Sequence, residues 1–207
     1  MRPEPLQRAI DSAFAVLDGR APESARAAVA AMASALRRPG RAAGNIARSQ
    51  PACAWLGDAF ARAEKGPASA AVLARAVAAV APGLPWYRRP WSAADGGSDA
   101  EAAFMAGHAN AQIAGPQGLE IRDDVTVGVT IMAPGVRYPD HRHPPEEVYV
   151  VMSEGEWRQE NDPWFRPGPG GIVHNPPGIV HAMRAADGAP LFALWCLKMP
   201  GASDANG

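Results

Sequence analysis

All five histidines of this 207-residue chain (His108, His141, His143, His174 and His181) lie in its second half. His141 and His143 are two apart, and residues two apart on a strand project to one side. Glu147 follows the Pro144-Pro145 corner and can return to the same place. Two imidazoles and a carboxylate suit Zn²⁺, Fe²⁺, Mn²⁺, Co²⁺ or Ni²⁺, so the donor types point to one divalent transition metal without choosing it. A Pro176-Pro177-Gly178 turn places His181 at the start of a later strand, as a fourth candidate ligand. His174 reads as a turn histidine outside the first set, and His108 as a residue that packs against the β region. Tyrosine is scarce: Tyr87, Tyr138 and Tyr149 are the only three. Tyr149 is two residues after Glu147 and shares its face, while Tyr138 lies three before His141 on the approach. A nearby cation favours phenolate over phenol, so either tyrosine is a candidate general base, with His141 as the fallback.

The elements that must position these residues fall into two unlike parts. Residues 1–82 carry four helical stripes. In the first, Leu6, Ile10, Phe14 and Leu17 share one face. The second opens at Pro22 and ends at Pro39-Gly40. A third runs from about Pro51 to Gly66, and a fourth follows Pro67 and stops at Pro82-Gly83. Alanine between the stripes favours helix and close packing. Residues 83–124 read as a connector packed on the β region, and its Trp86, Tyr87 and Trp91 are pins or pocket aromatics. From Val125 to about 200 the pattern becomes short β runs separated by Pro/Gly turns. Residues 201–207 read as a disordered tail.

Both halves of a two-part pattern are present in order: G-x5-H-x-H-x3-E on Gly135, His141, His143 and Glu147, then G-x5-P-x-G-x2-H on Gly170, Pro176, Gly178 and His181. This pattern resembles that of the cupins. It departs twice, at Gly155, which comes one residue late, and at Ala185, where asparagine is usual. Neither departure removes a metal ligand. The implied fold is mainly β: a small cupin β-barrel (double-stranded β-helix, or jelly roll) with an N-terminal α-helical extension.

More narrowly, Tyr138-Pro-Asp-His141-Arg-His143-Pro-Pro-Glu146-Glu147-Val-Tyr149, with His181 downstream, resembles the cupin dimethylsulfoniopropionate lyases, most closely the DddQ type. The resemblance covers most of the chain. It implies a metal held by His143, Glu147 and His181, with His141 or Tyr149 also close to it. It also implies β-elimination of dimethylsulfoniopropionate to dimethyl sulfide and acrylate. The cationic sulfonium would suit aromatic faces, for which Trp195, Trp86, Tyr87 and Trp91 are the candidates. Other readings of the same cage are a cupin dioxygenase or isomerase acting on another small carboxylate, and a non-enzymatic metal or small-molecule sensor.

Bulk composition sets outer bounds. Hydrophobic residues make up 47% and charged residues 20%, which excludes a wholly disordered chain. Gly and Pro number 21 each, an excess that the connector and β turns absorb. The net charge of −1 argues against nucleic acid. Residues 1–100 carry 13 basic and 8 acidic side chains, and residues 101–207 carry 7 and 13. Two cysteines, Cys53 and Cys196, make no disulfide framework. No signal peptide or membrane span is expected. The expectation is a cytoplasmic protein with a small-molecule substrate, no nucleic-acid or membrane partner, and a homodimer as the default assembly.

Overall fold

The helical stripes become α1 (Glu4–Arg20), α2 (Glu23–Leu36), α3 (Leu56–Glu64, preceded by a 3-10 turn over Pro51–Trp55) and α4 (Ala68–Val80). The computed structural model describes residues 1–91 and 98–199 of the chain. The predicted tail and residues 92–97 of the connector lie outside the described residues. A fifth helix, α5 (Ser98–Gly107), leads into the strands. None of the described helices is long and apolar enough to cross a membrane.

The strands are β1 (Arg41–Ala42), β2 (His108–Ala114), β3 (Glu120–Ile121), β4 (Val125–Met132), β5 (Arg137–His141), β6 (Glu146–Val151), β7 (Glu156–Gln159), β8 (Ile172–Asn175), β9 (His181–Arg184) and β10 (Leu191–Lys198). They build a seven-stranded sheet in the order β1-β3-β2-β4-β10-β6-β8 and a three-stranded sheet in the order β5-β9-β7. The result is the mainly β architecture with an N-terminal helical extension that the cupin pattern implies.

Alternation along the strands assigns each residue to a layer. On β4, Val125, Val127, Val129 and Ile131 join a core with Leu6, Ile10, Leu17, Met32, Leu73 and Val77 from the helices. Phe192, Leu194 and Cys196 of β10 and Val148 and Val150 of β6 point the same way. The alternate residues of β6 and β10, Tyr149, Val151, Ala193 and Trp195, form a second core with Tyr138, Trp157 and Met183. The helices therefore cover the outer face of the large sheet, which is why every residue of β4 is buried. The fully buried Ala13, Ala25, Ala63 and Ala74 let the helices lie close.

One boundary needs correction. Residues 108–114, which the sequence pattern assigns to the connector, form β2 inside the large sheet, paired antiparallel with β4 from His108↔Met132 to Ala111↔Val129. Its outward residues are Ala109, Ala111 and Ile113, and its inward ones include His108 and Asn110. A strand with so little β-branched bulk, and with polar residues inside, carries little β signal of its own.

Buried charge anchors the N-terminus to this sheet. Arg2 Nε donates to Glu120 Oε2 at 2.5 Å, and Arg122 Nη1 donates to Glu120 Oε1 at 2.7 Å. Both side chains of the Arg2–Glu120 pair are 3% exposed.

Candidate metal centre

His141, His143 and His181 each offer a ring nitrogen within 4.8 Å of the others. Glu147 completes the group, with its Oε2 3.3 Å from His143 Nε2 and 3.2 Å from His181 Nε2. His141 ends β5 and His181 begins β9, directly opposite each other. His143 lies beyond β5, in the corner before β6, so it reaches the site through the turn and not by strand alternation with His141. Gly178 explains how the two motif halves meet. Its φ of +75° is one that L side chains rarely adopt, and its N–H donates to the His143 carbonyl at 3.0 Å.

The imidazoles are oriented as metal ligands are. Nδ1–H donates to a backbone carbonyl in all three: His141 to Pro139 at 2.9 Å, His143 to Pro145 at 2.9 Å and His181 to Ile179 at 3.1 Å. A carbonyl can only accept, so the proton sits on Nδ1 and each Nε2 presents a lone pair to the site. His181 Nε2 is buried with no hydrogen-bond partner among the described residues. An orphaned acceptor beside a carboxylate is costly unless a cation satisfies it. Two donors that share an ion at about 2.1 Å stand roughly 3.0–3.4 Å apart, which the Nε2–Oε2 spacings match. The donor set therefore fits a divalent transition ion.

Glu147 is held in turn. Asn175 on β8 donates Nδ2–H to Glu147 Oε2 at 2.8 Å, and Gln159 on β7 donates to Asn175 Oδ1 at 2.7 Å. Burial opposes the Glu147 charge, but the His143 and His181 imidazoles beside it outweigh that and hold the carboxyl well below the usual range. Burial and the neighbouring His181 push His141 down to about 4.

A cavity of about 140 Å³ opens on His141, His143 and Glu147. Its other walls include Tyr87, Asn110, Thr130, Tyr138, Tyr149 and Trp195. His181 lies beneath, 2% exposed. The volume is well under the roughly 300 Å³ at which drug-sized sites begin, so only a small ligand fits. Burial raises both Tyr138 and Tyr149 above the ordinary phenol value. For Tyr138 an Asn110 side-chain contact works in the opposite direction. For Tyr149 the Glu147 charge and a hydrogen bond to Glu147 add to the rise.

The expected site residues divide on inspection. Tyr138, Tyr149, His141, His143, Glu147, Tyr87 and Trp195 meet at the cavity, with His181 behind it. Trp86 and Trp91 do not reach its walls. Trp86 is buried in the helix-facing core and donates Nε1–H to Ala81 O at 3.3 Å. Trp91 packs behind the site on Phe104, at 5.3 Å between ring centroids. Trp86 fills the apolar core, and Trp91 packs half-buried against Phe104. His174 faces away from the site and pairs with Glu146 Oε1 and Ser24 Oγ, each at 2.9 Å, tying α2 to the sheet. His108 stacks on Phe104 with 3.6 Å between centroids. Asn110, Thr130, Asn175 and Gln159 are functional neighbours that sequence reasoning missed. The signal available was a polar residue at an inward strand position, which is weak without knowing the sheet.

Comparison with known proteins bears on the family. The sequence model of the dimethylsulfoniopropionate lyase family matches residues 24–193. The dimethylsulfoniopropionate lyase DddQ of Ruegeria pomeroyi is 37% identical over 105 residues, covering 50% of this chain and 52% of that protein. A putative dimethylsulfoniopropionate lyase DddL of Cereibacter sphaeroides is 30% identical over 146 residues, covering 70% of this chain and 58% of that one. The chain thus spans little more than half the length of either. The crystal structure of DMSP lyase DddQ from Ruegeria pomeroyi superposes with a TM-score of 0.67 at 27% identity, over 95% of this chain and 92% of that one. A structure reported with the DMSP lyases RdDddP and RnDddQII shares the fold, with a TM-score of 0.69 at 23% identity over 97% and 95% of the two chains. With the family match running from α2 into β10, this chain belongs to the dimethylsulfoniopropionate lyase family.

Proposed function

We propose that the protein is a metal-dependent carbon–sulfur lyase that cleaves dimethylsulfoniopropionate to dimethyl sulfide and acrylate. The observation that carries this reading is the convergence of two tyrosines and a His/Glu donor set on one small cavity. Family membership and the relatives named as lyases support it. His143, Glu147 and His181 hold the ion, with His141 beside them; zinc, iron, manganese, cobalt and nickel all suit these donors. When bound, the ion supplies Lewis acidity to the substrate carboxylate.

Burial favours the neutral Tyr138 phenol, and a cation beside it would favour the phenolate; as phenolate, Tyr138 takes the proton from the carbon next to the carboxylate. That electron pair forms the C=C bond, and the C–S bond breaks with its pair going to sulfur. Neutral dimethyl sulfide leaves, acrylate remains, and Tyr138 returns its proton to solvent. Tyr138 is favoured over Tyr149 because Asn110 Nδ2 lies 3.5 Å from its oxygen, whereas the Glu147 carboxylate opposes ionisation of Tyr149. Tyr87, Tyr149 and Trp195 supply aromatic faces for the sulfonium.

The experiment is gas-phase detection of dimethyl sulfide from zinc-loaded protein under anaerobic conditions. Release is expected, because elimination needs neither a redox metal nor oxygen. Absence of release above background with zinc, manganese or iron would sink the assignment.

A further inference from the structure

Trp195 Nε1 lies 3.0 Å from Thr130 Oγ1, Thr130 Oγ1 lies 2.5 Å from Asn110 Oδ1, and Asn110 Nδ2 lies 3.5 Å from Tyr138 Oη. Donor type and distance together set the direction of this relay. An indole N–H can only donate, so Thr130 Oγ1 accepts it. The Thr130 hydroxyl donates to Asn110, since 2.5 Å suits an O–H···O bond and is too short for N–H···O, so the Asn110 carbonyl oxygen faces it. The Asn110 amide nitrogen is thereby held on the Tyr138 side, at the cavity wall. Asn110 is 5% exposed and Thr130 is 1% exposed, so water does not loosen the arrangement. The backbone of Asn110 is pinned too, exchanging N–H···O bonds of 2.8 Å in both directions with Tyr87. At 3.5 Å the contact to Tyr138 is long, and it uses one N–H at most. A buried, oriented donor therefore faces the space that a ligand would fill.

We propose that Asn110 is a specificity-determining residue that donates a hydrogen bond to a carboxylate oxygen of the ligand, with Thr130 and Trp195 as positioning residues that prevent the amide from turning over. The inference rests on the carboxylate substrate proposed for this same cavity. It adds that the carboxylate is recognised by a protein donor as well as by the ion. Such a donor discriminates, since a site built to give a hydrogen bond rejects a ligand unable to accept it well.

The test uses the full-length, zinc-loaded protein and two unreactive probes, propionate and its neutral counterpart propionamide, with binding read by calorimetry. In Asn110→Ala, propionate is expected to weaken by about tenfold or more, and propionamide by less than about threefold, since bonds to charged groups are the stronger. Zinc affinity and the far-UV spectrum should stay unchanged. Thr130→Val, which keeps the shape and removes the hydroxyl, should weaken propionate by about threefold or more, and Thr130→Ser should recover most of it, because only the hydroxyl sets the amide. If Asn110→Ala does not fold, the Thr130→Val and Thr130→Ser pair decides the matter. Unchanged propionate binding, equal losses for both probes, or no propionate binding by the wild type would each overturn the proposal. Neither probe carries a sulfonium, so failure of dimethyl sulfide release would count against the lyase reading and leave this one standing.

Discussion

The rings of Tyr138 and His141 pack at 4.7 Å between centroids although the two residues are three apart on β5. In a regular strand that spacing would send them to opposite faces. The register shows how they come together: Tyr138 pairs with Met183 and His141 with His181, so three steps on β5 match two on β9. One extra residue at Pro139-Asp140 makes a bulge, and bulges re-aim side chains. Tyr138 and His141 line one cavity because of it.

The two tyrosines should separate in kinetics. Tyr138→Phe should lower dimethyl sulfide release by roughly 10²–10⁴-fold, the usual worth of a general base, with zinc stoichiometry unchanged. Tyr149→Phe should cost about tenfold, because it removes a hydroxyl on the cavity wall shared with Glu147 and not the proton acceptor. If Tyr149→Phe proves the more damaging, the base is Tyr149.

Asn175 should govern metal affinity. Asn175→Ala removes the donor to Glu147 Oε2, and loss of such a partner typically weakens metal binding by about 10–100-fold. Competition with a chromophoric zinc chelator measures this. An unchanged zinc affinity would show that Glu147 is not a ligand held by Asn175.

His108 should make the fold acid-sensitive. Burial lowers its pKa from 6.5 to about 4, helped by Arg88 and Arg89, while its bond to Phe104 O opposes the shift. Nδ1 pairs with Phe104 O at 2.6 Å and Nε2 accepts the Arg89 N–H at 2.9 Å, so the neutral ring is fully satisfied. The folded pKa is below the unfolded one, so the unfolded chain binds more protons between these values. The contribution is complete above pH 6.5 and is lost as pH falls toward 4. It amounts to something on the order of 3 kcal/mol. Urea midpoints across that range should fall in the wild type and fall less steeply in His108→Asn.

Gly128→Ala should disturb the cavity wall from behind. A Cβ there would overlap Trp195 Cζ2, since Gly128 and Trp195 are partners in the β4–β10 register. The indole must move and its bond to Thr130 must lengthen. The expected cost is about 1–3 kcal/mol in thermal or urea unfolding, typical of overpacking. A variant as stable as the wild type would mean that the ring can shift freely.

The convergence of the candidate donors was legible because a motif ties them to turns: Gly178 and the prolines before it announce His181, and the Pro144-Pro145 corner announces Glu147. Among the aromatic candidates, Tyr87 and Trp195 reach the cavity and Trp86 and Trp91 do not, because where an indole packs depends on available space and not on residue type. The partners of the site, Asn110, Thr130 and Asn175, were silent for a related reason. Each is one polar residue at an inward strand position, and nothing local says which strand will lie opposite.

By itself the sequence determined the layer pattern and the donor chemistry. Helical and strand periodicities are local properties, and so are the dihedral demands of glycine and proline. Tertiary structure decided the rest. It recruited residues 108–114 into the large sheet and inserted the bulge that turns Tyr138 and His141 to one side. It also aligned an indole, a hydroxyl and an amide from three strands. Those outcomes depend on register between segments far apart in the chain, which local propensity does not encode.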